Sequence, residues 1–152
     1  MRYFFARIDH FVSDFSLENE YATYYQLVLQ SQGSNIYHVE HIITNHDENL
    51  KLFADEEEFN AQRNRLGGLL LLKGKDNQSS GNELYPEKLK TYNVTGTYYA
   101  RTLLKDMYHK KVNFAKFIKG HELNFKPYDT FGKNEIEERH SLLFELVKKI
   151  WL

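Results

Sequence analysis

The chain has no cysteine, only two prolines and no long hydrophobic run. Without cysteine, neither a disulfide framework nor a zinc site of thiolate ligands can form, and a reducing cytoplasm is the expected compartment. The longest apolar run covers residues 69–72, whereas a membrane helix needs about 20 apolar residues. Residues 1–20 carry acidic side chains inside their apolar pattern, which is not typical of a signal peptide. We therefore expect neither a membrane protein nor a secreted precursor, and zinc fingers are excluded.

The composition is that of a folded protein with an uneven distribution of charge. The 152 residues are 41% hydrophobic and 15% aromatic, which favours a single globular domain over residues 1–152. Residues 1–60 hold 3 basic and 11 acidic side chains, whereas residues 61–133 hold 14 basic and 6 acidic ones. A basic segment rich in aromatic residues is typical of a surface that contacts a phosphate backbone. A solvated helical surface explains the same charges equally well.

Hydrophobic periodicity predicts a mostly helical chain with one small hairpin. A helix over residues 2–15 would place Phe4, Ile8, Phe11 and Phe15 on one face. The other predicted elements are a strand over 36–43, a loop over 45–49, a helix from the N-cap Asp55 to about 62, a strand over 69–72, a polar turn over 75–81 that leads into a short helix, and helices over 97–108, 113–119 and 134–151. Residues 16–34 receive no assignment except a turn at 31–34.

An acid and a histidine stand side by side near the end of the first predicted strand. Glu40 offers a hard oxygen ligand, and His41 offers an imidazole that accepts a proton near neutral pH, so that the two together suit the activation of water. Asn77, just after the second strand, offers another oxygen ligand, and a hairpin would bring the two strands together. His38 shares a strand face with Glu40, where it is either an added ligand or a partly buried structural histidine, and the structural role is favoured.

Motifs along nearly the whole chain resemble those of one known protein family. The residues that carry the resemblance are Glu40-His41-Ile42, Arg65-Leu66-Gly67-Gly68-Leu69-Leu70-Leu71-Leu72, Asn77, Glu87-Lys88 and Tyr92, with Arg2-Tyr3-Phe4 at the start and Asn124-Phe125-Lys126-Pro127 before the last helix. They look like the C-terminal HNH, or ββα-metal, nuclease domain of GmrSD-type (type IV restriction) proteins, in a subgroup with Gly-Gly where others have Gly-Asn. The resemblance implies an α+β, mostly helical fold, with a hairpin-plus-helix core at about 36–92 and flanking helices at 2–15 and 97–151.

The resemblance also implies a function. Such a domain is a metal-dependent DNA endonuclease of restriction and phage defence, which cuts foreign DNA, modified DNA included, and leaves 5′-phosphate and 3′-hydroxyl ends. By position, His41 resembles the general base, and Glu40 and Asn77 resemble the ligands of a divalent metal, Mg²⁺ or Mn²⁺. In such proteins an N-terminal ParB-like nucleotide-hydrolysing domain usually precedes this one. The chain has no such domain, so we expect either an excised domain, whose ParB-like domain or partner lies elsewhere, or a stand-alone relative.

Five further residues are candidates for the site. Gly68 stands where the broader HNH pattern has an asparagine that braces the histidine-bearing loop, and Asn64, four residues earlier, is the candidate for the missing amide. Lys88, in the helix after the second strand, is a candidate phosphate ligand. Lys73 and Lys75 flank the second strand, where they either contact substrate or are plain solvated lysines.

Other roles stay open at the level of sequence. The departure at Gly68 favours, as an alternative, a catalytically inactive nucleic-acid-binding or interaction module that keeps the HNH fold. A module that only packs on an N-terminal partner is a third hypothesis. Tyr85 and Tyr92 are predicted to be core aromatics rather than base-stacking residues, and Trp151 is predicted to be a buried anchor of the final helix.

Overall fold

Short helices surround one two-stranded sheet in the computed structural model, which describes residues 1–18, 21–29 and 36–152 except for the side chains of 78–80. The helices are α1 (Arg2–Phe15), α2 (Tyr24–Leu29), α3 (Asp47–Leu50), α4 (Glu56–Arg63), α5 (Gly74–Ser80), α6 (Tyr85–Val94), α7 (Tyr98–Arg101), α8 (Lys105–Lys110), α9 (Val112–His121) and α10 (Lys133–Trp151). The strands are β1 (Tyr37–His41) and β2 (Leu69–Lys73), and a 3-10 turn (Leu66–Gly68) precedes β2. The predicted α+β, mostly helical fold is confirmed.

The sheet is an antiparallel pair in which Glu40 lies opposite Leu70 and His41 lies opposite Leu69. All four leucines of β2 are buried, because the strand also contacts α1, α5 and α7. Cover of this kind explains why the strand is a continuous apolar run rather than an alternating one. Both predicted strands are confirmed, although the first is shorter than expected.

Helix α5 follows β2 directly, so the polar turn predicted over residues 75–81 is wrong. The N–H of Gly74, the first residue of the helix, donates to the carbonyl of Ile36 across the hairpin (2.7 Å). The helix also packs on both strands and on α6. These tertiary contacts override the low helix propensity of its polar residues. The resulting order of strand, strand and helix is the one that the resemblance implies.

Helix α1 spans the predicted residues but turns a slightly different face to the core. Phe5, Ile8 and Val12 are buried, whereas Phe15 is 53% exposed. The buried residues keep the helical spacing of three and four, so the helix is rotated relative to the predicted face. Its buried side contacts α2, α7 and both strands, and this packing places it at the centre of the fold.

Two short helices, α7 and α8, occupy the segment predicted as one helix over residues 97–108, and that prediction is wrong. The turn between them presents the carbonyl of Leu103 to the N–H of Tyr128 (3.1 Å). The hydroxyl of Thr102 donates to the carbonyl of Tyr99 (2.7 Å). A contact with a distant segment therefore competes with the helical hydrogen bonds and ends the first helix.

Two other short helices lie where the sequence predicts none. Residues 47–50, predicted as part of a loop, form α3, whose N-cap His46 accepts the N–H of Glu48 through its ring (3.1 Å). Helix α2 lies in the segment that received no assignment, and the turn expected at 31–34 lies outside the described residues. Asp55 caps α4 as predicted, because its carboxylate accepts an N–H of the first turn (2.7 Å).

The last helix, α10, packs on the 3-10 turn before β2. Gly67 permits this approach, because a Cβ there would overlap the carbonyl oxygen of Ile136. Arg139 is 1% exposed and donates from Nε to the carbonyl of Gly67 (3.0 Å). Trp151 is not the buried anchor predicted for this helix. It is 48% exposed and stacks on Phe4, with the ring centroids 5.7 Å apart.

Candidate active site

Glu40 and His41 end β1 with their side chains in different surroundings. Successive side chains of a strand point to opposite faces. Glu40 faces the interior and is 5% exposed, whereas His41 is half-buried. The strand therefore delivers a carboxylate to the core and an imidazole that solvent can reach.

Helix α6 supplies a cation to the buried carboxylate. Lys88, whose side chain is 0% exposed, forms an ion pair with Glu40 Oε1 and donates to the carbonyl of His41 (2.7 Å). Burial lowers the pKa of Lys88, and the charge of Glu40 opposes that shift. The sequence suggested a phosphate contact for Lys88, but an ammonium inside the protein is not placed to make one. The structure shows that Lys88 ties the end of β1 to α6.

Asn64, the C-cap of α4, holds the imidazole of His41. His41 Nε2 lies 2.8 Å from Asn64 Oδ1, and Asn64 Nδ2 donates to the carbonyl of Asn60 (2.7 Å). Because the amide nitrogen is engaged with that carbonyl, the amide oxygen faces the ring and accepts a hydrogen bond from Nε2–H. The neutral imidazole therefore carries its lone pair on Nδ1. Asn64, the residue predicted to supply the missing amide, therefore does reach His41.

The surroundings of His41 favour a neutral imidazole. Partial burial lowers the pKa of His41 below 6.5, and the charges of Arg63 and Lys88 act in the same direction. The hydrogen bond to Asn64 and the charge of Glu40 oppose the shift without cancelling it. At neutral pH the ring is thus in the form that a general base requires.

Gly68 connects β1 with the end of α4. Its carbonyl accepts the N–H of Ile42 (2.9 Å), and its own N–H donates to the carbonyl of Arg65 (2.8 Å). A Cβ at Gly68 would lie 2.7 Å from the carbonyl oxygen of Arg63, so a larger residue would displace the end of α4. The glycine therefore lets the helix approach closely enough for Asn64 to reach the imidazole.

Arg63, the last residue of α4, is a part of the site that the sequence analysis did not single out. Its Nε donates to the carbonyl of Ile43 (3.2 Å), and its guanidinium carbon lies 5.3 Å from the ring centroid of Phe59. Its charge acts on both Glu40 and His41. The signal that could have found it is its position between a predicted helix end and the Gly-Gly pair.

The remaining predicted site residues lie near the hairpin without joining this pair. Asn77 is half-buried on α5, and none of the hydrogen bonds described for this part of the chain joins it to Glu40 or His41. Lys73 is half-buried and Lys75 is exposed, and neither forms an ion pair with a described residue. Lys73 is the last residue of β2, and Lys75 and Asn77 lie on α5, which follows it directly.

Two secondary predictions have different outcomes. His38 is exposed, with its ring 3.4 Å from where a Cβ of Gly74 would lie, so it is not the partly buried histidine that was favoured. Tyr85 and Tyr92 are core aromatics as predicted, with 6% and 0% exposure. The hydroxyl of Tyr85 donates to the carbonyl of Tyr128 (2.9 Å).

The side chains of Glu40, Asn77 and Glu83 carry oxygen donors, which is the ligand type that hard cations prefer. Among the described residues, no group of three or more His, Asp or Glu side chains is arranged to hold a metal ion. Glu40 and Asn77 offer oxygens, and Glu83 adds a buried Oε2 without a hydrogen-bond partner, with a charge that acts on Lys88. Magnesium keeps several waters and takes one or two carboxylates from a protein, and manganese accepts the same oxygen donors.

Comparison with known protein families identifies the class of this domain. Residues 7–146 match the family described as the GmrSD restriction endonucleases, C-terminal domain, and the chain belongs to that family. Membership implies a restriction-endonuclease type of function with DNA as the substrate. Neither the comparison with curated proteins nor that with solved structures gave a match. No helix within the described ranges is long and apolar enough to cross a membrane.

Proposed function

We propose that the chain is a metal-dependent DNA endonuclease domain of the HNH type that serves in the restriction of foreign DNA, modified DNA included. The observation that carries the proposal is the hydrogen bond between His41 and Asn64. Because this bond engages Nε2 of a neutral imidazole, Nδ1 is left to act as a base, and Glu40 is the adjacent residue in the strand. Family membership supports the reaction class and the substrate. The cytoplasm is the proposed compartment, since the chain has no cysteine.

The proposed reaction is hydrolysis of a phosphodiester, which resists attack because its charge repels nucleophiles. His41 Nδ1 takes a proton from a water molecule as the water oxygen bonds to phosphorus. The bond between phosphorus and the 3′ oxygen breaks, and that oxygen takes a proton from solvent. The imidazolium, which Asn64 Oδ1 stabilises by accepting the hydrogen bond from Nε2–H, then releases its Nδ1 proton to solvent. The products are a 5′-phosphate and a 3′-hydroxyl.

Glu40 and Asn77 are the residues that would hold Mg²⁺ or Mn²⁺, with Glu83 as a neighbouring negative charge. When bound, the cation supplies positive charge against the phosphate oxygens in the transition state. Lys88 fixes the Glu40 carboxylate and the carbonyl of His41 to α6. The proposed metal ligand Glu40 and the proposed base His41 thus lie together at the end of β1, and α6 holds that end in place through Lys88.

The basic segment of residues 61–133 is proposed to face the DNA backbone, with Lys73 and Lys75 as phosphate contacts near the hairpin. Phosphate contacts position a nuclease without reading sequence. Selection of foreign DNA is therefore assigned to a ParB-like nucleotide-hydrolysing domain or to a partner that supplies one.

Plasmid nicking by the purified chain in Mg²⁺ or Mn²⁺ tests the proposed function. The wild-type protein should nick, EDTA should stop the reaction, and His41→Ala should lower the rate by about 10²–10⁴-fold with an unchanged circular dichroism spectrum. His109→Ala is the matched control, because His109 is exposed on α8. Absence of nicking by the wild type, or full activity in His41→Ala, would overturn the proposal.

The second candidate function is a nucleic-acid-binding module without activity. One observation favours it: the carboxylate that should hold the metal is buried and paired with Lys88. Salt-sensitive DNA binding that persists in EDTA, together with no cleavage in any divalent metal, is the result that would establish this candidate.

A further inference from the structure

A site that cleaves phosphodiesters needs a cation that its substrate can reach. The structure removes Lys88 from that role, because its side chain is 0% exposed and bound to Glu40. Arg63 remains beside His41 and is only half-buried. The guanidinium at the end of α4 is therefore a cation next to His41 that a substrate phosphate can reach.

Two contacts hold the Arg63 side chain in a defined position. Its Nε donates to the carbonyl of Ile43, in the segment that directly continues β1 (3.2 Å). Its guanidinium packs over Phe59, and its neighbour in the chain is Asn64, which binds the imidazole of His41. An arginine has five N–H donors in a planar fork, so one is used and four remain on the two terminal nitrogens. No described carboxylate forms an ion pair with them.

We propose that Arg63 binds the non-bridging oxygens of the scissile DNA phosphate and stabilises the charge that develops there when water attacks. The inference rests on the proposed endonuclease function and adds a catalytic residue to it. A guanidinium fork matches two phosphate oxygens at once, which an ammonium on a flexible stem does not. The bond to Ile43 and the contact with Phe59 orient this fork before substrate arrives, so little side-chain conformational entropy is lost on binding.

Arg65, two residues further on, provides the contrast within the chain. Its Nη1 lies 2.5 Å from Glu137 Oε2 and 3.1 Å from Gln62 Oε1, so its charge is already neutralised by α10. The two arginines share a segment and a residue type but differ in whether a carboxylate occupies the fork. Arg65→Gln is therefore the matched control for Arg63→Gln.

DNA binding measured in EDTA tests Arg63 separately from cleavage. The probe is a short fluorescein-labelled DNA duplex, titrated by anisotropy over a range of salt concentrations. Arg63→Gln should weaken binding and reduce the slope of log K against log salt by about 1, while Arg63→Lys and Arg65→Gln keep the wild-type slope.

In the nicking assay, Arg63→Lys should lower kcat by about 10²-fold with little change in KM, because a point charge does not chelate two oxygens. An unchanged slope in folded Arg63→Gln, or full kcat in Arg63→Lys, overturns the proposal.

A second measurement uses the wild-type chain and does not depend on the folding of a variant. Phenylglyoxal modifies accessible arginines, and mass spectrometry reports the modified positions. The DNA duplex should protect Arg63 and leave the reactivity of Arg65 unchanged, whereas equal reactivity of Arg63 with and without DNA would contradict the proposal. If the wild type fails to nick plasmid yet DNA protects Arg63, the endonuclease function is refuted and the phosphate contact stands.

Discussion

His41 Nε2 lies 2.8 Å from Asn64 Oδ1, although the two residues are 23 positions apart in the chain. The contact joins the end of β1 to the end of α4, and it selects the tautomer with the lone pair on Nδ1. Gly68 makes the contact possible, because its missing Cβ lets the last turn of α4 lie close to the sheet. We propose that Asn64, four residues earlier, replaces the asparagine that the broader HNH pattern has at position 68.

The pH dependence of cleavage should report this contact. The hydrogen bond to Asn64 raises the pKa of His41, so Asn64→Ala should move the acid limb of the pH profile to lower pH. The rate should also fall by about 10–100-fold, since the ring loses the partner that orients it. Asn64→Asp should move the limb to higher pH, because a carboxylate stabilises the imidazolium. Initial nicking rates from acid to neutral pH give the limb, and identical profiles in all three proteins would refute the assigned contact.

The buried ion pair of Lys88 with Glu40 should be essential for stability. Lys88→Met removes the ammonium from a buried carboxylate, which should lower the free energy of unfolding by about 3–5 kcal/mol. The double variant Glu40→Gln with Lys88→Met should recover much of that loss, because neither charge is then left in the core. Urea denaturation measures both effects. Lys90→Met is the control, since its exposed ion pair with Glu87 contributes about 1 kcal/mol or less. Equal effects of the Lys88 and Lys90 variants would contradict the role assigned to Lys88.

Gly67 should tolerate no side chain. A Cβ there would overlap the carbonyl oxygen of Ile136 and lie 2.7 Å from the backbone nitrogen of His140, so Gly67→Ala has to displace α10. The expected loss is about 1–3 kcal/mol of unfolding free energy, read from the thermal midpoint. Gly120→Ala should instead stabilise the protein by about 0.4–1 kcal/mol, because a Cβ at that helical position meets nothing within 4 Å. A reversed order of the two midpoints would show that the packing of α10 on this turn is not as described.

Asp9 should make stability fall as pH rises. Burial raises the pKa of Asp9 from 3.8 to about 7. The Asp9 carboxylate accepts hydrogen bonds from the N–H groups of Tyr98 and Tyr99, and these bonds oppose the shift. The folded state therefore holds the proton more tightly than the unfolded state, so this contribution is complete below about pH 4 and is lost as pH rises to about 7. Asp9→Asn keeps an oxygen for one N–H group but does not titrate. Urea unfolding at several pH values should show that the free energy of unfolding falls less steeply with pH in Asp9→Asn than in the wild type. Parallel curves of unfolding free energy against pH would exclude Asp9 as the cause.

Local patterns predicted the elements whose cause is local. Helix α1 and the N-cap Asp55 follow from periodicity and from a side chain that bonds its own helix, and both are confirmed. The break between α7 and α8 was missed, because it depends on a hydrogen bond from Tyr128, which lies in another segment. The exposure of Trp151 was missed for the same kind of reason, since periodicity does not say where the core ends.

The sequence by itself determined the family, the two strands and the adjacency of Glu40 and His41, because each is written in neighbouring residues. Only the tertiary structure decided the surroundings of that pair. Lys88 is 48 residues from Glu40 in the chain, and whether its ammonium meets a phosphate or a buried carboxylate depends on how α6 packs. The position of Arg63 likewise depends on the path of the backbone at Gly68. Side chains that are far apart in sequence acquire their chemistry from the packing that brings them together.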